Sequence, residues 1–512
     1  MNALNIIYTI LGLIITVCIC LYVKLVRKPK HIFDTLKAQG IPGEPFVPII
    51  GQMLNVLRAN KEDRSVEYFY DLSKKFGDCF LCSIGPLVRL VVLHPELIGQ
   101  MLGRTKGHNY RKSKELTNIL KSFIGEHNLL VSETEEHERA RTMLNPAFHF
   151  VNLRSMISIM VNETSKMIDS LLKTAHQFRV DSELNSLTLS IISSSAFGRS
   201  FDVKLDGNQS FADIFNEVKD AVGYRTIRLI NQNDFIDRLP FWGRQLIDKG
   251  SKLLNEFVDQ SIVARRTGQS TSLCSGPDIL DLLLSAVDEN GQPFTDQQIK
   301  DEALTFVLAG HETTGNLMTW TIYHLMLHDD VLKACQEEVN RILPNGIIPT
   351  FDHLADLQII EAVIYETLRL YPPAPSFVRE AIRPHTINTV DNQRKIFIPT
   401  DTHVLVNIYA IHRDERYWPN PHEFNYKRWL RDPATGLKPK LSHPFAFLPF
   451  AAGSRNCIGQ NFALLEAKVI LSMLVQQCQF QLVPGQHIVP LSKGVTISPK
   501  YGMYASIQKR NS

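Results

Sequence analysis

The chain has 512 residues, of which 44% are hydrophobic and 21% charged, and its formal net charge is +3. That length suggests two to four domains or one large fold able to bury a sizeable core, and the near balance of charge excludes a general attraction to nucleic acid or another acidic polymer. Eight cysteines spread over the chain exclude a disulfide framework and suit a reducing compartment with free thiols.

The first predicted element is LNIIYTILGLIITVCICLYV (4–23), which carries no charge. About 20 residues at about 1.5 Å each can cross a hydrocarbon core of roughly 30 Å. Lys24, Arg27, Lys28 and Lys30 follow at once. Such a basic flank stays cytoplasmic and places the N-terminus across the membrane. A cleaved signal peptide fits less well: no basic segment precedes the run and no small-residue cleavage site follows it. Residues 1–26 therefore read as a retained transmembrane anchor.

GIPGEPFVPIIG (40–51) is broken by glycine and proline, which forbid a continuous helix. Residues 27–52 read as a basic, proline-rich hinge. CFLC (79–82) has the spacing of half a zinc site, but no second pair completes it, and a strand is the simpler reading. No further linker or repeat occurs, so residues 53–512 are expected to form one catalytic domain, mainly α with small β-sheets (α+β).

TDQQIKDEALTFVLAGHETTGNLMTWTIYHLML (295–327) predicts a long core helix that starts at a Thr295–Gln298 capping box. Its middle carries Ala309, Gly310, His311, Glu312, Thr313 and Thr314. A mid-helix glycine costs about 1 kcal/mol, and a threonine hydroxyl can take over a carbonyl of the preceding turn. The pattern predicts a local opening with an acid and a hydroxyl beside it. The zinc-protease pattern H-E-x-x-H fails, because Gly315 stands where the second histidine belongs. LADLQIIEAVIYETLRLYPPAP (354–375) predicts a helix ended by Pro372 and Pro373, with Glu366 and Arg369 as neighbours on one face. Arg428 lies in the proline- and aromatic-rich loop WPNPHEFNYKRW (418–429), where it can reach back toward Glu366.

FAAGSRNCIG (450–459) sets Cys457 just ahead of the helix pattern QNFALLEAKVILSMLV (460–475). Free N–H groups and the positive helix end lower a thiol's pKa at such a place. Gly453 and Gly459 are expected to let the backbone wrap tightly around the sulfur. A nucleophilic cysteine needs a histidine base, and none is apparent. A single thiolate on heme iron needs no further protein ligand, and that ligation favours O–O cleavage.

The stretch Phe450-x-x-Gly453-x-Arg455-x-Cys457-x-Gly459 resembles the heme-binding signature of the cytochrome P-450 family at every defining position. Glu366-x-x-Arg369 resembles its K-helix motif, Arg428 the arginine that completes that triad, and AGHETT the oxygen-binding turn of its I helix. The anchor and proline segment resemble the microsomal members. The resemblance spans essentially the whole chain, in the family's order. It implies the cytochrome P-450 fold, with heme b held non-covalently between the long central I helix and the Cys-ligand loop and L helix. Cys457 would be the axial thiolate, and Arg141, Arg379 and Arg455 would match the propionate-binding positions. Thr313 would sit beside bound dioxygen or its water, Glu312 in the proton relay, and Ala309 and Gly310 would leave room for O2. His137 stands where the family usually has tryptophan and can still donate to a propionate. Tyr426 stands where a proline is usual. Ala309 replaces an acid found in fatty-acid omega-hydroxylating members, which argues for non-covalent heme and weakens that substrate reading.

The resemblance further implies a monooxygenase that inserts one atom of O2 into a lipophilic substrate. The substrate would be a fatty acid, sterol, isoprenoid or xenobiotic. Electrons would come from an NADPH-dependent cytochrome reductase docking on the Cys457 side, with Arg141 or Lys468 helping. Cytochrome b5 is a second candidate donor; no nucleic acid is implied. The membrane would be the endoplasmic reticulum, with the N-terminus lumenal and the catalytic domain cytoplasmic. An isomerase or dehydratase of lipid hydroperoxides, independent of reductase, is the alternative. It is disfavoured because Glu312 and Thr313 are both present; a non-catalytic heme scaffold is disfavoured because Cys457 and Thr313 are. Pocket segments are expected at 104–125, around Phe306, at 376–378 (Phe377, Val378) and at 494–496.

Overall fold

The computed structural model describes residues 3–103, 107–174, 177–198, 204–226, 239–241, 243–390, 394–493 and 495–510. Residues 104–106 and 494 of the expected pocket segments lie outside these.

The apolar N-terminal run forms a helix, Ala3–Tyr22, that continues through a π-helical turn, Val23–Arg27, into a second helix, Lys28–Lys37. Over residues 5–37 this is long and apolar enough at its N-terminal end to cross a membrane. Its side chains are exposed from Asn5 to Tyr22. The segment expected as a hinge at 27–52 divides in two. Pro29, Ile32, Phe33 and Leu36 are buried, and the last three join the apolar cluster beneath the main sheet. The proline-rich part is docked as well: Gly43 bridges to Leu81, where a Cβ would lie 2.3 Å from the Leu81 carbonyl oxygen. Only glycine permits that approach.

The main sheet has five strands in the order Cys79–Ile84, Leu87–Val92, His403–Asn407, Ser376–Ala381 and Tyr110–Lys112. The pair Leu87–Val92 and His403–Asn407 is parallel; the other pairings are antiparallel. CFLC lies in the first strand, and burial pushes both thiols up to about 12.

A larger helical core surrounds the central helix, Asp296–Leu327. Its start carries the capping box in both directions: Thr295 Oγ1 accepts from the Gln298 N–H at 3.2 Å, and Gln298 Oε1 accepts from the Thr295 N–H at 3.0 Å. Residues 301–307 and 314–322 are buried. Between them Ala309 is exposed, and Leu308, Gly310, Glu312 and Thr313 are half-buried. The helix through the middle of the core thus opens onto a space at one turn. It does so without breaking: the α-helix runs unbroken through 309–314.

Candidate heme site

Local geometry fixes the cysteine loop. The Cys457 N–H donates to the Phe450 carbonyl at 2.9 Å, and the Asn456 N–H to Gly453 at 3.2 Å. The Phe450 ring packs half-buried on the helical core. Gly453 has φ +78°, and a Cβ there would lie 2.3 Å from the Leu102 carbonyl oxygen. Gly459 differs from expectation. Its φ is −82° at the N-cap of the helix Gln460–Gln477, and a Cβ would meet only the Cys457 sulfur, at 3.9 Å. What Gly459 contributes is its N–H, which donates to that sulfur. The thiol also corrects expectation. Cys457 is open to the surface, yet the protein packed around its sulfur pushes the thiol up, and the Gly459 N–H and the Arg141 guanidinium offset this only in part. A cleft of about 280 Å³ opens beside Cys457 and is lined by Arg141, Phe148 and Asn461 among others.

A cationic group gathers beside this loop. Arg455 Nη1 donates to the Ser132 carbonyl at 2.8 Å, and its other arm pairs with Glu133. Arg379, on the strand Ser376–Ala381, is pushed down to about 10 by burial and by Arg455. Lys112 is pushed down to about 7, first by burial and then by Arg455 and Arg379; its ammonium donates to the carbonyls of Leu129 and Leu130. His137 is buried, and burial with Arg455, Lys112, Arg141 and Arg379 around it pushes it down to about 3. Its imidazole is therefore neutral. Glu133 is paired with Arg455, so the remaining positive charge is poorly compensated. Such a set fits a dianionic group, and two propionates match it in charge and in the fork geometry that arginine prefers. Arg141 points elsewhere. Its guanidinium donates to the Asn456 carbonyl and Oδ1, both at 2.7 Å, and to Asn145 Oδ1 at 3.0 Å. Through these bonds it braces the cysteine loop.

The central helix reaches this group through Glu302. Burial pushes its carboxyl up to about 8; Oε1 accepts from the Leu129 N–H at 2.9 Å. Glu302, Phe306, Ala309 and Thr313 follow helical spacing along one face. Thr313 Oγ1 donates to the Ala309 carbonyl at 2.6 Å, as the mid-helix threonine suggested. Gly310 does not enlarge the open face. A Cβ there would lie 2.9 Å from Ile192 of the helix Val180–Phe197, so its smallness serves helix packing, and of the two small residues it is Ala309 that faces the space. Glu312 receives the Thr496 hydroxyl at 2.7 Å and lies 4.0 Å from Lys219 Nζ.

The structure brings Glu366, Arg369 and Arg428 together. Glu366 and Arg369 are fully buried and joined by two hydrogen bonds, of 3.0 and 2.7 Å. Arg428 Nε reaches Glu366 at 3.4 Å. Trp429 Nε1 and the Asn425 N–H donate to the same carboxylate at 2.8 and 2.9 Å. Arg369 also donates to the carbonyls of His412, Pro421 and Glu423, tying the loop to the helix. Lys468 is not a surface group: it is buried, with its ammonium on Glu361 at 2.8 Å and the Leu354 carbonyl at 3.0 Å. Sequence reasoning passed over Lys112, Glu133, Asn456, Lys219 and Thr496. Asn456 lies inside the cysteine motif at a position the motif leaves open, Lys112 and Thr496 lie in expected pocket segments, and Glu133 and Lys219 come from segments without a motif.

A cysteine loop at a helix start, a cationic group beside it and one open turn on a core helix fit a thiolate-ligated porphyrin protein. The family model for cytochrome P450 matches residues 41–505. Cytochrome P450 4A10 of Mus musculus is 30% identical over 98% of this chain and 95% of its own length. The taurochenodeoxycholic 6 alpha-hydroxylase of Sus scrofa is 30% identical over 83% of each chain. Among solved structures, the cytochrome P450DA heme domain superposes with a TM-score of 0.77 at 26% identity, covering 92% of this chain and 98% of that one. The chain belongs to the cytochrome P450 family. It is an oxidoreductase, a heme-thiolate monooxygenase of lipophilic substrates that uses heme b with an axial cysteine thiolate, O2 and a reductase partner.

Proposed function

We propose that Cys457 supplies the axial thiolate, that Arg379, Arg455, Lys112 and His137 hold the propionates, and that Arg141 fixes the cysteine loop through Asn456. The observation that carries this reading is the convergence of poorly compensated cations next to the Cys457 loop. Bound heme supplies the activation of O2. The chain's own residues do the rest. Ala309 leaves the open face free, and its lack of a carboxylate keeps the heme non-covalent. Thr313 holds its hydroxyl at that face, anchored on the Ala309 carbonyl. Glu312, the residue before it on the same turn, exchanges protons with solvent and feeds Thr313. The buried Glu366–Arg369–Arg428 network keeps the loop 418–429 in place.

Electrons would come from an NADPH-dependent flavoprotein reductase on the Cys457 side, with cytochrome b5 as a second donor. Buried Lys468 has no part in that docking. The N-terminal helix would anchor residues 53–512 on the cytoplasmic face of the endoplasmic reticulum, its basic flank holding the orientation. The taurochenodeoxycholic 6 alpha-hydroxylase named above keeps a sterol-derived acid in view as substrate, beside the fatty acids, isoprenoids and xenobiotics left open by the sequence.

The test is the carbon monoxide difference spectrum of dithionite-reduced protein in expressed membranes. A Soret band displaced far to the red is expected, and it should vanish in Cys457→Ala. A band at the imidazole position, or one that survives in that variant, would overturn the assignment of Cys457. Product formation that needs no NADPH or reductase would favour the hydroperoxide alternative.

A further inference from the structure

Glu312 is held by groups from two other parts of the fold. Thr496 Oγ1 donates to Oε1 at 2.7 Å, and Lys219 Nζ, on the helix Phe211–Thr226, stands 4.0 Å from Oε2, beyond hydrogen-bond reach. The two carboxylate oxygens are thus unlike. One is fixed by a neutral donor; the other feels a positive charge but keeps its lone pairs for exchange.

Thr496 suits the fixing role. It opens the strand Thr496–Pro499, which pairs with Pro490–Lys493, and it is buried. The residues that follow are pinned from three sides. The Ile497 N–H donates to the Pro373 carbonyl at 2.9 Å, and Trp320 Nε1 donates to the Ile497 carbonyl at 3.3 Å. Lys500 Nζ donates to the Asn60 carbonyl at 2.8 Å, and the Tyr501 hydroxyl donates to Asp63 Oδ1 at 2.9 Å. A β-branched side chain on so constrained a backbone has few rotamers. Its hydroxyl stays aimed where it is, while Glu312, with three side-chain torsions and partial exposure, would otherwise sample several.

We propose that Thr496 is the positioning residue for Glu312: its hydroxyl locks one carboxylate oxygen so that the other is presented for proton transfer. The inference rests on the reading of Glu312 as the proton-delivering acid.

The test uses full-length membrane-bound protein with reductase and NADPH, comparing wild type with Thr496→Val, Thr496→Ser, Glu312→Gln and the double variant Thr496→Val/Glu312→Gln. Thr496→Val keeps the shape and removes the donor. Product per NADPH should fall about tenfold, the effect of one hydrogen bond to a charged group, with a larger solvent isotope effect and unchanged KM. Thr496→Ser should restore coupling, and the double variant should be no worse than Glu312→Gln alone. Independently of turnover, the Glu312 carboxylate band, assigned by infrared difference against Glu312→Gln, should shift in Thr496→Val. Normal coupling and an unshifted band in Thr496→Val, beside an impaired Glu312→Gln, would overturn the role of Thr496. Normal coupling in Glu312→Gln would overturn the reading of Glu312 and the proposal with it.

Discussion

Replacing Arg369 with methionine should strongly destabilise the protein. The change leaves Glu366 fully buried without the partner that makes two of its hydrogen bonds. It also strips the carbonyls of His412, Pro421 and Glu423 of their donor. Breaking a buried ion pair from one side costs about 3–5 kcal/mol. That is a factor on the order of 10² to 10⁴ in the ratio of folded to unfolded protein, and a large share of the roughly 5–15 kcal/mol that a folded protein has. The remaining donors to Glu366, from Trp429, Asn425 and Arg428, soften the loss without replacing a buried positive charge. Pulse proteolysis in urea on detergent-solubilised protein measures the shift, and the yield of the reduced carbon monoxide band reports the heme-loaded fraction. Lys438→Ala is the control, because it breaks an exposed contact with Glu361 and should change stability by at most about 1 kcal/mol. An Arg369→Met variant as resistant as Lys438→Ala would refute the argument from burial.

Four more outcomes follow from the same structure. Gly453→Ala, at φ +78° with a Cβ 2.3 Å from the Leu102 carbonyl oxygen, should displace the cysteine loop and abolish the red-shifted band, whereas Gly459→Ala, at φ −82°, should keep it; equal spectra would contradict the loop geometry. Thr313→Ala, which frees the Ala309 carbonyl, should lower product per NADPH without lowering heme content, and unchanged coupling would refute its proton role. Removal of residues 1–27 should leave a folded body, while removal of residues 1–37 should destabilise it by several kcal/mol, since burying Ile32, Phe33 and Leu36 is worth about 1.5–3 kcal/mol each; equal urea midpoints would count against the docking of that helix. His324 is pushed down to about 3 by burial, and neither ring nitrogen has a partner among the described residues. Its depressed pKa means that the unfolded chain takes up a proton near its ordinary 6.5 that the folded chain refuses until about 3. Stability is therefore lost as pH falls through that window, and His324→Phe, in the stack with Phe424, should flatten the pH dependence there by up to about 1.4 kcal/mol per pH unit. Identical acid-unfolding profiles would show that His324 is not held neutral.

Much of this protein is local and so was legible in the chain. The capping box at Thr295, the uncharged run at 4–23, the prolines that end the helix after Leu370 and the positive-φ glycine at 453 each depend on a few neighbouring residues. Glu366 and Arg369 also lie one helical turn apart, so their meeting needed only the helix. Arg428 joined them by way of a loop whose path the sequence left open. Charge and orientation behaved otherwise, because both depend on what surrounds a group. The thiol of Cys457 sits at a helix start as read, yet the protein packed around the sulfur raises it where the helix end alone would lower it. Arg141 turned toward Asn456, Lys468 turned inward to Glu361, and Gly310 served Ile192. The cations beside the cysteine loop came from residues 112, 379 and 455, with His137 among them, and Thr496 reached Glu312 across 184 positions. By itself the sequence determined which segments are helices and which residue types stand at the reactive turn and loop, because backbone torsion and side-chain period are short-range properties. Only the tertiary structure decided which of those side chains are dry, which are paired and which way they point, because desolvation and Coulomb interactions are set by neighbours in space.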